Sequence, residues 1–218
     1  KKEAVASLSR ALELDSGSSM IYNNLGAILN DLGRYEDAAA SYRSSLALRP
    51  ANSQVHDKLG LVLSNLGNYE AAIASYQSAL DLKSDDAAVY FNLGSALYNL
   101  GRVNEAIASY QKALRLSPDD AKSHTNLGLA LNSIGQHEAA IASYTRSLKI
   151  NPDSSVAHFN LANALYSLGR DEEAGHSYKN AYRLDKYNIS AYVSWIHQLR
   201  LVCDWDQIST SLAEDLRS

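Results

Sequence analysis

One interval constrains this chain more than any other feature. Asn-Leu-Gly stands at Asn24-Leu25-Gly26, Asn92-Leu93-Gly94 and Asn126-Leu127-Gly128, with Lys58-Leu59-Gly60 and Asn160-Leu161-Ala162 as variants, each 34 residues after the last. A second glycine series, Gly33, Gly67, Gly101, Gly135 and Gly169, keeps step. So do an alanine series (Ala4, Ala38, Ala72, Ala106, Ala140, Ala174) and a tyrosine series (Tyr42, Tyr76, Tyr110, Tyr144, Tyr178), and Pro50, Pro118 and Pro152 share one phase. A chain repeating at this length stacks small units that cannot bury their apolar faces alone.

Each unit reads as two helices. Tyr22, Leu25, Gly26 and Leu29 fall on one helical stripe. A glycine in mid-helix costs about 1 kcal/mol relative to alanine, so Gly26, Gly60, Gly94 and Gly128 are expected where a neighbouring helix comes close. Gly33 and its equivalents end the first helix, because glycine takes positive φ without strain. Ala38, Tyr42, Ser45 and Leu46 form the inner stripe of the second helix, with small and bulky residues alternating, and Pro50 stops it. Ala38, Ala72, Ala106, Ala140 and Ala174 are thus the expected small contacts between paired helices.

On these columns the pattern resembles the tetratricopeptide repeat (TPR) over about residues 1–188. The resemblance implies an all-α fold, a right-handed superhelical solenoid of helix-turn-helix repeats. Five full units fit, at 19–52, 53–86, 87–120, 121–154 and 155–188. Residues 1–18 are then the second helix of an earlier unit, and residues 189–218 a degenerate terminal repeat or cap in which Tyr192, Trp195 and Ile196 take the columns of Tyr22, Leu25 and Gly26.

Composition excludes several function classes. A net charge of -4 provides no basic field for nucleic acid. No apolar run approaches the roughly 20 residues of a membrane span. One cysteine, Cys203, excludes an internal disulfide framework and a cysteine-based zinc site, and fits a reducing, cytoplasmic or nucleocytoplasmic setting. His56, His124 and His158 occupy the Tyr22 column and are expected as core residues, whereas His137 and His176 are expected at the surface. No residue is assigned a catalytic or metal-binding role and no cofactor is expected, so the chain as given is not expected to be an enzyme.

In the family that the pattern resembles, first helices line a concave groove. The column Asn24, Lys58, Asn92, Asn126, Asn160 would lie on that face. A carboxamide both donates and accepts, so it pairs with the backbone of an extended guest without reading side chains. Helices about 8–10 Å apart and an extended chain rising about 3.3 Å per residue bring one rung to roughly every third guest residue. The same asparagines can instead satisfy local groups or face water. Phe91 with Tyr98 and Phe159 with Tyr166, seven apart, are expected either as apolar pockets on the groove side or as packing against a neighbouring first helix.

The expected partner is therefore a protein or extended peptide, and open repeat ends or the convex face offer surfaces for self-association. Val202-Cys203-Asp204-Trp205, after these repeats, resembles the end of the repeat region in O-GlcNAc transferases, as does the asparagine column. That resemblance implies a substrate-recruiting arm whose nucleotide-sugar chemistry lies C-terminal to Ser218. The alternative is an independent scaffold with no enzymatic parent. A chaperone-binding clamp fits less well, since the inner strip offers only Lys58 and Lys122 as cations, with Asp31 and Asp57 nearby.

Overall fold

The computed structural model describes the backbone of residues 2–201. Among them are twelve helices and no strand. The chain divides into two compact units, Lys1–Pro118 and Asp119–Ser218. The first holds α1 (Lys2–Leu14), α2 (Ser19–Asp31), α3 (Tyr35–Leu48), α4 (Ser53–Asn65), α5 (Tyr69–Leu82), α6 (Ala87–Asn99) and α7 (Val103–Leu116). The second holds α8 (Ala121–Ser133), α9 (His137–Ile150), α10 (Ser155–Ser167), α11 (Asp171–Leu184) and α12 (Ile189–Leu201). Within each unit every helix packs on its neighbour in sequence, most closely inside the hairpins α2–α3, α4–α5, α6–α7, α8–α9 and α10–α11.

The two glycine series do different work. Gly33, Gly67, Gly101, Gly135 and Gly169 have φ between 70° and 83°. At Gly33 the chain closes a Schellman turn: the Gly33 N–H donates to Asn30 O and the Arg34 N–H to Leu29 O, both at 2.9 Å. Gly26 instead permits close approach. A Cβ there would sit 2.8 Å from Tyr42 Cε1, and one at Gly60, Gly94 or Gly128 would lie 2.6–2.7 Å from the matching tyrosine. The tyrosine ring of the second helix lies flush on the glycine of the first.

That contact organises each hairpin core. Ala38, Ala72, Ala106, Ala140 and Ala174 are fully buried, and Tyr42, Tyr76, Tyr110, Tyr144 and Tyr178 nearly so. Burial pushes the Tyr42 and Tyr76 phenols up to about 12, with Asp31 and Asp57 respectively adding to the effect. Side chains cap most first helices: Asn52 accepts from the Val55 N–H, Asp86 from Ala88 and Val89, Asp120 from Ser123 and Ser154 from Ala157.

In the second unit α12 packs on α11, burying Trp195 against Tyr182, with ring centroids 6.0 Å apart, and placing it under the Lys179 ammonium. Cys203 and the Val202–Trp205 segment lie outside the described residues.

Candidate peptide-binding faces

The first helices of each unit bring the periodic polar column onto one face. In the first unit Asn24 is exposed, and Lys58 and Asn92 are half-buried. Lys58 Nζ donates to Asn23 Oδ1 at 3.2 Å, and Asn92 Nδ2 to Asp57 Oδ1 at 3.3 Å. Each rung therefore reaches back 35 residues to the preceding first helix. Lateral bonding does not exhaust either group: the ammonium has two further donors, and the carboxamide keeps one N–H and its carbonyl. In the second unit Asn126 and Asn160 are half-buried and make no side-chain hydrogen bond among the described residues.

Asp57 is the charged centre of the first face. It lines a small cleft with Ser53, Gln54, Ala79, Lys83, Asp86 and Val89. Burial pushes its carboxyl above the ordinary carboxylate range and Asp86 adds to the push; the Asn92 hydrogen bond and Lys58 pull it back. A raised acid pKa means the fold favours the protonated form, so Asp57 destabilises the native state at neutral pH and is relieved as pH falls through its folded pKa. Asp57→Asn, which still accepts from Asn92, is expected to melt higher than wild type at neutral pH. The gap should close below about pH 4, where the carboxyl is protonated in both states. A lower melting temperature at neutral pH would show that the lateral bond needs the charge.

The phenylalanines do not pair with the tyrosines seven residues on. Phe91 packs on Tyr110, with ring centroids 5.9 Å apart, and Phe159 on Tyr178 at 5.8 Å, so each turns toward the second helix of its own hairpin. Tyr98 is half-buried, and Tyr166 is 47% exposed at the mouth of a pocket with Val193, Ser194 and His197. That pocket escaped sequence reading, although Val193 and Ser194 continue the Asn23 and Asn24 columns at the same interval.

The histidines correct the sequence reading. His56, His124 and His158 are half-buried rather than core. His56 Nε2 and His158 Nε2 lie 3.0 and 3.1 Å from the carbonyls of Pro50 and Pro152. A carbonyl only accepts, so Nε2 carries the proton and the ring ties its helix to the preceding turn. Burial holds His158 below the ordinary imidazole range. His137 is half-buried too, its Nδ1 2.7 Å from Asn132 Oδ1, whereas His176 is exposed. Among the described residues, no group of three or more His, Cys, Asp or Glu is placed to hold a metal, and no helix is long and apolar enough to cross a membrane.

Known proteins share this architecture. YrrB, described as a TPR protein with an unusual peptide-binding site, superposes with a TM-score of 0.73 at 20% identity, covering 86% of this chain and 96% of its own. MamA gives 0.72 at 27% identity, covering 79% and 94%. PilF of Pseudomonas aeruginosa gives 0.76 at 24%, covering 90% and 89%. At 20% and 24% the likeness to YrrB and pilF is one of fold alone. No curated relative matches the chain. Tetratricopeptide-repeat profiles match residues 17–85, 58–121, 109–142 and 156–188, and a TPR repeat profile matches 128–169. With these matches and the hairpins described above, the chain belongs to the tetratricopeptide-repeat family.

Proposed function

We propose that the first-helix faces hold an extended polypeptide through its backbone. The observation that carries this reading is the column of hydrogen-bonding side chains, Asn24, Lys58 and Asn92 in the first unit and Asn126 and Asn160 in the second, each exposed or half-buried with donors or acceptors to spare. Carboxamides that pair with backbone groups tolerate many guest sequences, as a recruiting surface requires. The chain itself has a binding role in this reading, not a catalytic one.

Asn126 and Asn160 give the cleanest test, because removing them breaks no lateral bond. Titration of the chain with a twelve-residue glycine–serine peptide, followed by amide NMR shifts, should move residues on the first helices. Asn126→Ala with Asn160→Ala should weaken binding in the second unit by about 1–3 kcal/mol, or roughly 5–150-fold in Kd, with the melting temperature unchanged. Unchanged shifts with lost stability would make the column structural. Asn92→Ala should lower stability as well, since it strips Asp57 of a donor.

We further propose that the array recruits substrates for a protein O-glycosyltransferase. Its support is the resemblance of Val202–Trp205 and of the asparagine column to the repeat regions of O-GlcNAc transferases. The full natural chain, incubated with UDP-N-acetylglucosamine and unstructured serine-rich peptides, should then glycosylate them. A natural chain without a nucleotide-sugar domain would leave the scaffold reading in its place.

A further inference from the structure

One charge on the first face is not required by the bond that it makes. Asp57 is the only charged residue in a column otherwise occupied by Asn23, Phe91, Thr125, Phe159 and Val193. Its Oδ1 accepts from Asn92 Nδ2 at 3.3 Å, a bond that a carboxamide oxygen accepts equally well. Its Oδ2 accepts no hydrogen bond among the described residues. The residue is half-buried, and burial acts against the charged form. A carboxylate kept in a cleft against that cost marks a place where a ligand charge fits. The cavity before it, of about 90 Å³, lies between the start of α4, the end of α5 and the start of α6. The other charges of its lining are matched: Lys83 Nζ stands 3.3 Å from Asp86 Oδ2, and Asp86 Oδ1 accepts from the Ala88 and Val89 N–H groups. Lys58, next in the chain, gives its ammonium to Asn23. One net negative charge therefore remains in the lining, that of Asp57. Ser53 and Gln54 add neutral acceptors, and Ala79 and Val89 form an apolar wall.

We propose that this cleft receives a cationic side chain, lysine or arginine, of a polypeptide held on the first face, with the cation pairing to Asp57 Oδ2 and its methylene stem lying on Ala79 and Val89. A guest cation brings both an opposite charge and N–H donors to a carboxylate that has one oxygen unpaired. An apolar guest side chain shields the carboxylate from water without pairing it, and an acidic one adds a second negative charge, so both are disfavoured. A peptide's N-terminal ammonium carries the same charge but has no stem to lie on the apolar wall. The inference rests on the peptide-binding reading and adds to it one side-chain preference, confined to the first unit.

The whole chain should be titrated with N-acetylated twelve-residue glycine–serine peptides carrying lysine, arginine, norleucine or glutamate at one central position, followed by amide NMR shifts. Lysine or arginine should bind roughly tenfold more tightly than norleucine at low salt. The gain should shrink as salt is raised, and the added shifts should centre on residues 53–57 and 83–89. The Asp57 carboxyl, followed through its side-chain carbon shift, should titrate lower with the lysine peptide bound than free. Asp57→Asn keeps the acceptor for Asn92, and lysine and norleucine peptides should then bind alike. Lys83→Gln removes the cation already in the lining and should widen the preference, which serves as the test should Asp57→Asn fail to fold. Equal affinity for lysine and norleucine in the wild type, a lysine gain that survives Asp57→Asn, or a gain from an unacetylated N-terminus in place of the lysine would overturn the assignment. If the plain glycine–serine peptide moves first-helix resonances while lysine adds nothing, the cleft assignment fails and the backbone reading stands. If only the lysine and arginine peptides bind, with shifts at Asp57, the cleft stands and the asparagine column fails.

Discussion

Tyr110→Ala is expected to destabilise the first unit by about 3–5 kcal/mol, the range for removing a large aromatic side chain from a core. Tyr110 is 2% exposed, lies over Gly94, meets Phe91 at 5.9 Å and donates its hydroxyl to Ser95 Oγ at 3.2 Å. Truncation leaves a cavity between α6 and α7, while Ser95 keeps its own hydrogen bond to the Phe91 carbonyl. Because repeat arrays are stabilised between neighbours, the loss should spread beyond one hairpin and appear in urea denaturation as a lower midpoint or a split transition. A cost below about 1 kcal/mol, the size of an ordinary surface change, would mean that α6 and α7 are held together elsewhere.

Gly94→Val is expected to cost about 1–3 kcal/mol by overpacking. A Cβ at Gly94 would stand 2.7 Å from Tyr110 Cε1, so the ring must move or the helices must part, and two γ-methyl groups leave neither an easy route. Valine is a slightly better helix former than glycine, which offsets a few tenths of that cost. The fifth repeat is a natural control: Ala162 occupies this column, fully buried, above Tyr178. One methyl is therefore tolerated where the ring can adjust, and Gly94→Ala should cost less than Gly94→Val. Adding Tyr110→Leu to Gly94→Val should restore part of the lost stability, giving a favourable coupling in a double-mutant cycle. Strict additivity would place the clash elsewhere.

The hairpins were legible before any coordinates because their determinants are local. Gly33 and Gly101 take positive φ at the ends of first helices, and a proline follows three of the five second helices, α3, α7 and α9. The pairing of Gly26 with Tyr42 was half legible: the need for a small residue was visible, but not that the closest group would be one ring edge. The histidine column runs beside the packing stripe rather than on it, so a ring nitrogen reaches the preceding turn at Pro50 or Pro152.

The period, the helix ends, the small-and-large core of each hairpin and the column of asparagines on the first helices are all written in the order of residues within a repeat. All of these follow from backbone preferences and side-chain volume within one repeat. What that column touches depends on how neighbouring hairpins pack. Lys58 bonds to Asn23 and Asn92 to Asp57 because adjacent first helices are offset by one residue more than the repeat, a relation set by packing between hairpins. In the same way Phe91 turns to Tyr110 rather than to Tyr98, and Gln198 is left as a buried acceptor beside Tyr166. Side-chain direction across a helix interface depends on the neighbouring helix, and a repeat read alone carries no record of it.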